Sequence, residues 1–443
     1  MSHPMKKQAP CVLVLWNQTD EDIYEVWQQE GPRPLEWKPD ELVSEVGTVR
    51  EEMDQLVEAI RANGYRAVLV NVKDDVEKII AAVTLHEPAC VFNLIEYLYD
   101  DETMEANVAG LYELFGVAYT GNRPRALATC QSKVRTKILL DDAGLPTAPY
   151  MVVNEDEVVP DPAAFDLEYP LIVKPAREDA SGGISPDSVV LDFASLKKRC
   201  HYIFQEFEQP ALVEEYIEGR EIHAAILGNY IEGKRKRTPE GQEPPEHPEW
   251  EVRPRRPEVL PLFEMEFDDS EFNPGDEWRP EIITYKAKWD PHSKQFYSMD
   301  SVCPPEDLDP ELEARIEQVA LQAFKVLDCR DYARVDMRVD DDGDPYILEV
   351  NPNPDLADGS AYVMCSDASG RTYAQLIGEI VRMALARRAR AQAEEKNPRV
   401  VTDHLLREYR HGKPPEPKRA KPEPAAAKPG QTADESADES AAD

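Results

Sequence analysis

The sequence lacks any Cys-x-x-Cys spacing, lacks an apolar run long enough to span a membrane, and is short of basic residues. Its seven cysteines (Cys11, Cys90, Cys130, Cys200, Cys303, Cys329 and Cys365) are odd in number and dispersed, which argues against a disulfide framework or a zinc site and fits reduced thiols. The first apolar run, Cys11 to Trp16, is too short for a signal-peptide core, so a cytoplasmic location with no membrane partner is expected. Lys and Arg number 50 against 87 Asp and Glu, a formal charge of −37 that repels nucleic-acid phosphate and anionic lipid. No nucleic-acid partner is expected. Aromatics make up only 8%, yet hydrophobic residues reach 42%, too many for a wholly disordered chain. At roughly 150 residues per domain, 443 residues give two or three domains.

The first hundred residues alternate short apolar runs with amphipathic stretches. Cys11–Trp16 reads as a strand, Val49, Met53, Leu56, Val57 and Ile60 recur at helical spacing, and Ala67–Val70 reads as a second strand. Asn63-Gly64 stops the helix; Val76–Val83 supplies another, Cys90–Leu94 a buried strand, and Met104–Phe115 a helix closed by Gly116. This β-α-β rhythm predicts an α/β fold with a parallel sheet flanked by helices. Leu171–Val173 and Ala211–Val213 read as strands of a second small α/β unit. From Glu232 to Arg256 the chain is dense in Pro and charge, so it reads as an exposed, solvated insertion. A helix is expected from Leu376 to about Glu395, and the Pro-, Ala- and acid-rich end of the chain reads as disordered.

The stretch from Tyr332 to Asp355, YARVDMRVDDDGDPYILEVNPNPD, carries most of the chemistry. Two strand-like runs flank Asp342-Gly343, a dipeptide suited to a two-residue type I′ turn. That register sets Asp336 opposite Glu349 and Arg334 opposite Asn351. One face then carries Val335, Met337, Val339, Tyr346, Leu348 and Val350; the other carries Arg334, Asp336, Arg338, Ile347, Glu349 and Asn351. Like charges facing each other are destabilising unless something positive lies between them, and oxygen ligands point to Mg²⁺ or Mn²⁺. Arg334 would then neutralise a phosphate or an oxyanion. On the hairpin alone, a solvent-facing acidic ribbon neutralised by its own arginines reads equally well.

A second cluster bears on that choice. KPAREDASGGIS, Lys174 to Ser185, places a lysine at a strand end just before Ser181-Gly182-Gly183, whose backbone N–H groups suit phosphate.

Together these residues resemble the ATP-grasp superfamily, most closely its D-alanine–D-alanine ligase branch. Val91 to Tyr150, with its YTG turn, is similar to that family's passage from first to second domain, and Lys133 matches its first phosphate lysine. LIVKPAREDASGGIS is similar to the second lysine and the lid, which puts Lys174 on the ATP phosphates and Ser181, Gly182 and Gly183 above them. LVEEYIEGRE resembles the adenine hinge: the resemblance implies Glu214 on the adenine amino group, Tyr216 and Ile217 along the base and Glu221 on the ribose. YKAKWD matches a third phosphate lysine at Lys288. The hairpin matches a metal site of Asp336, Glu349 and Asn351, with Arg334 on the transferring phosphoryl group or the intermediate. Ser360 keeps the position of a serine that contacts the second substrate's carboxylate.

The resemblance implies a three-domain fold with ATP bound between the central and C-terminal domains. The boundaries expected are 1–121, 122–217 and 218–395, the last containing the 232–256 insertion, with a disordered tail at 396–443. It also implies an ATP-dependent carboxylate-amine ligase acting through an acyl phosphate, with ATP, two Mg²⁺ or Mn²⁺ ions, and amino-acid or peptide substrates; a homodimer is common in that family. The substrate half departs from the pattern. NQTDEDIYEVWQQEGPRPLEWKP replaces the early glycine-rich segment, with Glu21 or Asp22 as stand-ins for its glutamate. Glu96-Tyr97 replaces a His-Gly pair, Trp289 stands beside the third lysine, Ala180 replaces a serine before the lid, and Asp355 replaces an oxyanion-hole glycine. Altered amino-acid specificity is expected, including a larger or peptidic acceptor beside Trp289 and Tyr97. The alternative is a non-catalytic ATP-binding regulatory module.

Overall fold

A computed structural model describes residues 9–394 apart from 21, 32, 44–45, 156, 231–255 and 269–277. The insertion expected at 232–256, Arg256 excepted, and the tail expected at 396–443 therefore lie outside the described residues, as does Glu21. No helix among the described residues is long and apolar enough to cross a membrane.

The strand Cys11–Trp16 forms the centre of a three-stranded parallel sheet, between Arg66–Asn71 and Cys90–Leu94. It reads as a continuous apolar run because both faces are covered. Val12 and Val14 pack with Leu56 and Ile60 of the helix Val49–Ala62, while Leu13 and Leu15 pack with Ile79 and Tyr112 from the helices Val76–His86 and Met104–Phe115. The first of these helices starts at a capping box in which Thr48 and Glu51 satisfy each other's backbone N–H groups.

A four-stranded antiparallel sheet runs in the order Tyr150–Val153, Ala211–Glu215, Leu171–Pro175, Val189–Val190. The helix Phe193–Phe207 covers it, and its core of Val153, Leu171, Val173, Leu196, Ile203 and Val213 is a cluster of its own. The third sheet runs Met299–Val302, Phe263–Phe267, Arg220–Gly228, Asp331–Val339, Pro345–Asn351, with Glu258–Val259 paired to the third of these. One face of it, Ile222, Ala224, Val335, Met337 and Ile347, buries against Ile316, Ala320 and Phe324 of the helix Pro310–Val326. Another cluster joins Val14 of the first sheet and Ile60 of the helix on it to Leu227, Tyr332, Tyr362 and Ile377, so the helices Ala361–Ala368 and Tyr373–Glu394 fasten the first sheet to the third.

The Tyr332–Asp355 hairpin forms, but its turn differs from expectation. The chain ends pairing at Val339 and Pro345, and Gly343 N–H donates to the Asp340 carbonyl at 2.9 Å. A type I′ turn requires positive φ at both central residues; Gly343 has φ +78° but Asp342 does not share it. The register is thereby displaced by one residue near the turn, and a bulge opposite Asp336/Met337 restores it. Ile347, expected on the polar face, instead faces Met337 in the core, and Tyr346 sits opposite Arg338. Beyond the bulge, Asp336 pairs with Glu349 and Arg334 with Asn351 as expected.

Candidate active site

The polar face of the third sheet carries an ordered row of charge, because alternate residues of adjacent strands share a face. Arg334 donates from Nε and Nη2 to the two oxygens of Asp336 at 2.7 and 2.8 Å. Asn351 Nδ2 donates to Asp336 Oδ2 at 2.8 Å and reaches Glu349 Oε1 at 3.5 Å. Glu349 Oε2 accepts from Lys133 Nζ at 2.8 Å, which joins the hairpin to the helix Lys133–Asp142. Burial alone would raise the Glu349 carboxyl; Lys133, Lys174 and Arg334 overcome it and hold the group well below the usual range. Asp336 is lowered in the same way, with Arg334 and His223 outweighing burial. Burial opposes the charge of Lys133 too, but Glu349 and Asp179 raise it overall.

On the four-stranded sheet, Glu214 is 1% exposed and lies between two lysines: Lys137 Nζ at 2.5 Å from Oε1, and Lys174 Nζ against Oε2. Their charges hold Glu214 below its ordinary value against burial. Lys137 is itself lowered, since burial and the neighbouring Lys174 outweigh the pull of Glu214. Its other partners are Thr147 Oγ1 and the Ala148 carbonyl, the latter at 3.1 Å.

Between the two sheets, residues 216–219 carry the chain across. Tyr216 is half-buried, its hydroxyl accepting from Glu281 N–H at 2.9 Å and from Arg338 Nη2 at 2.9 Å. Ile217 is half-buried beside it. Glu221 is buried on the polar face, with Oε2 3.9 Å from Arg338 Nε and Oε1 3.3 Å from His223 Nε2.

The glycine loop folds tightly. Ser181 has φ +64°, Gly182 N–H donates to the Asp179 carbonyl at 2.7 Å, and Ile184 N–H to the Ser181 carbonyl at 3.0 Å. Gly183, at φ +72°, cannot carry a Cβ, which would lie 2.8 Å from both Phe207 and Pro175. The loop meets the segment carrying the third lysine: Tyr285 N–H donates to the Ile184 carbonyl at 3.2 Å, and Trp289 Nε1 to the Ala180 carbonyl at 3.1 Å.

The sequence-predicted residues are thus brought together unevenly. Lys133, Glu349, Asn351, Asp336 and Arg334 are joined by ion pairs and hydrogen bonds, and Lys174 and Glu214 form a separate pair. Lys288 is exposed, its ammonium 5.1 Å from the Trp289 ring. Ser360 Oγ donates to the Asp355 carbonyl at 2.9 Å, a bond within its own turn. Asp22 uses both carboxylate oxygens as a helix cap, on Tyr24 N–H at 2.9 Å and Val49 N–H at 2.8 Å. Glu96 keeps solvent contact, yet the protein crowded around it, with Asp355 and Asp179 adding, pushes its carboxyl up to about 8; Lys288 opposes the rise.

Lys137, His223 and Arg338 have no assigned role in the sequence reading. Each had a signal there: Lys137 lies one helical turn after Lys133, His223 two strand positions after Glu221, and Arg338 two after Asp336.

The family described as D-ala D-ala ligase C-terminus matches residues 139–241 and 269–382. An uncharacterised protein, y4sG, of Sinorhizobium fredii is 32% identical over 298 residues, 66% of this chain and 74% of that protein. A D-alanine–D-alanine ligase of Desulforudis audaxviator is 28% identical over 337 residues, 74% and 91% of the two chains. The crystal structure of the D-alanine–D-alanine ligase from Bacillus anthracis complexed with ATP superposes with a TM-score of 0.59 at 20% identity, covering 86% of this chain and all of that one. A second structure of that ligase gives 0.60 at 22%. The sheet arrangement is accordingly the ATP-grasp fold, and the chain belongs to the D-ala D-ala ligase C-terminus family.

Proposed function

We propose that the protein is an ATP-dependent carboxylate-amine ligase that joins amino-acid or peptide substrates through an acyl phosphate. The observation that carries this reading is the Lys133–Glu349 and Arg334–Asp336–Asn351 cluster, which sets phosphate-binding cations against oxygen ligands across adjoining elements. Each cation is already neutralised by a carboxylate, so nucleotide and metal enter by exchange of ion partners instead of by burial of new net charge.

In this reading Lys133, Lys174 and Lys288 hold the ATP phosphates, with Ser181, Gly182 and Gly183 as the lid. Glu214 takes the adenine amino group, Tyr216 and Ile217 line the base, and Glu221 holds the ribose. Asp336, Glu349 and Asn351 fit a divalent ion: two carboxylates and an amide are hard oxygen donors, a set suited to Mg²⁺ or Mn²⁺ shared with phosphates. For this Asn351 turns its amide so that oxygen replaces the nitrogen now facing Asp336. When bound, the metal supplies charge neutralisation on the phosphates. Arg334 keeps three N–H donors beyond the two on Asp336, enough to hold an oxyanion. A substrate carboxylate oxygen attacks the γ-phosphorus and ADP leaves; an amine then displaces phosphate to form the amide. Ser360 is the proposed contact to the second substrate's carboxylate.

The domain division at 121/122 and 217/218 belongs to the same reading. It is supported by the change from the four-stranded to the third sheet between Glu215 and Arg220. Altered amino-acid specificity is supported by the capping role of Asp22 and by Trp289 binding the Ala180 carbonyl.

The test is phosphate release from Mg²⁺-ATP with D-alanine alone, pooled amino acids and pooled dipeptides, with Glu349→Gln as control. Release that depends on one pool and is lost in the control is expected. ATP binding without phosphate release in any pool would overturn the ligase reading in favour of a regulatory module.

A further inference from the structure

The third sheet buries a histidine between two of its carboxylates. His223 is 4% exposed, and the register sets it directly across from Asp336 on one neighbouring strand and Phe263 on the other. Its ring lies nearly parallel to Phe263, 21° between planes and 5.2 Å between centroids, which fixes the plane of the imidazole. With that plane fixed, each ring nitrogen faces a different carboxylate. Nε2 lies 3.3 Å from Glu221 Oε1, and Nδ1 lies 3.9 Å from Asp336 Oδ1. Nδ1 is buried and makes no hydrogen bond among the described residues. Glu221 and Asp336 are themselves only 7% and 4% exposed. The far oxygens of both are faced from the other side, Glu221 by Arg338 at 3.9 Å and Asp336 by Arg334 and Asn351, and Asp336 Oδ1 shares the His223 side with Arg334 Nε, which donates to it at 2.7 Å.

A rigid ring with nitrogens on opposite edges can touch two carboxylates at once, whereas a flexible or shorter side chain reaches one at a time. Two residues along a strand span roughly 7 Å, so the row Glu221, His223, Asp336 covers the distance between the proposed ribose and phosphate ends of one nucleotide. We infer that His223 is a positioning residue that holds Glu221 and Asp336 in binding geometry together, coupling the ribose end of the nucleotide site to the metal end. The inference rests on the proposed roles of those two carboxylates. His223 itself touches neither nucleotide nor metal.

The test measures ATP affinity of the full chain by calorimetry, without turnover, in Mg²⁺ and in chelator. His223→Ala is expected to weaken ATP about tenfold, in the range seen when partners behind a ligand are removed, and by more in Mg²⁺ than in chelator. Glu221→Gln combined with His223→Ala is expected to bind in chelator no more weakly than Glu221→Gln alone, because the histidine acts there through that carboxylate. His223→Gln, whose amide can still reach Glu221, is expected to restore part of the loss. Unchanged affinity in His223→Ala, or losses that add in the double variant, overturns the inference while leaving the ligase reading intact. A parent chain that binds no ATP overturns both.

Discussion

Lys137, Glu214 and Lys174 place three charges where water scarcely reaches, and this triad is the most exacting electrostatic feature at the scale of single residues. Removing one partner of a buried pair leaves charge uncompensated, at a cost of about 3 kcal/mol or more. Glu214→Gln, which leaves the ammonium groups of Lys137 and Lys174 facing each other without their carboxylate, is expected to lose about that much in urea denaturation, and a loss within experimental error would contradict the pairing. Glu105 gives a pH test. It is buried, and withdrawal from water, with Glu96 adding, pushes its carboxyl well above the ordinary value although Asn353 donates to it at 2.9 Å. A carboxyl raised in the folded state costs nothing below its unfolded pKa of about 4.3 and costs progressively more as pH rises above that. Glu105→Gln should therefore match the parent near pH 4 and gain on it steadily toward alkaline pH. Parallel pH profiles would refute this. Asp336 opposite Glu349 is legible in the sequence because strand alternation fixes which residues face each other. Lys137 is less so: its spacing from Lys133 puts it one helical turn on, but a lysine on a helix reads as solvated until the Glu214 strand is packed against it.

At the scale of elements, the hairpin shows where sequence reading ends. Apolar alternation identifies both strands, but the Asp340–Asp344 loop and the bulge that offsets it are local backbone choices with no periodic signature. The helix Ile23–Glu30 and the ribbon Pro34–Leu35/Lys38–Leu42 are a second case. This segment folds by docking across the chain, so its own pattern is weak. Tyr24 donates its hydroxyl to the Trp289 carbonyl at 3.0 Å, Trp27 packs edge-on against His292 at 4.6 Å, and Trp37 packs against Tyr297 at 5.3 Å while its indole N–H reaches the His292 carbonyl at 3.3 Å. These contacts lie outside the main core clusters. Trp37→Ala is expected to expose residues 17–42 to protease, with a shift in Tm of only about 1 °C, as for the loss of roughly 1 kcal/mol in a chain of this size. Equal protease resistance in parent and variant would show that the ring does not hold the segment.

Across the whole molecule, the apolar clusters divide the chain unevenly. One cluster fastens the parallel sheet to the third sheet, whereas the core of the four-stranded sheet draws only on residues 151–213. Polar contacts tie the smaller unit to the rest, among them Lys133 N–H donating to the Ala176 carbonyl at 3.3 Å and Tyr285 N–H to the Ile184 carbonyl at 3.2 Å. Hydrogen exchange should therefore find 151–213 opening at its own rate and slowed by Mg²⁺-ATP, while the joined sheets exchange together. A single rate throughout, unaffected by nucleotide, would contradict this. The order of motifs makes the fold legible from sequence, because the lysine, hinge and hairpin segments follow one another as in the family they resemble. Substrate identity is not legible, since the segments that depart from the family pattern, at Asp22, Glu96 and Trp289, take their placement from contacts far apart in the chain.

The central claim is that a substrate carboxylate oxygen attacks the γ-phosphorus. Its most direct test supplies the accepted amino acid with heavy oxygen in its carboxylate and analyses the phosphate released with Mg²⁺-ATP. The account predicts one heavy oxygen transferred to each phosphate, and none released by Glu349→Gln. Phosphate carrying only oxygen from water would mean hydrolysis without carboxylate activation and would contradict the claim.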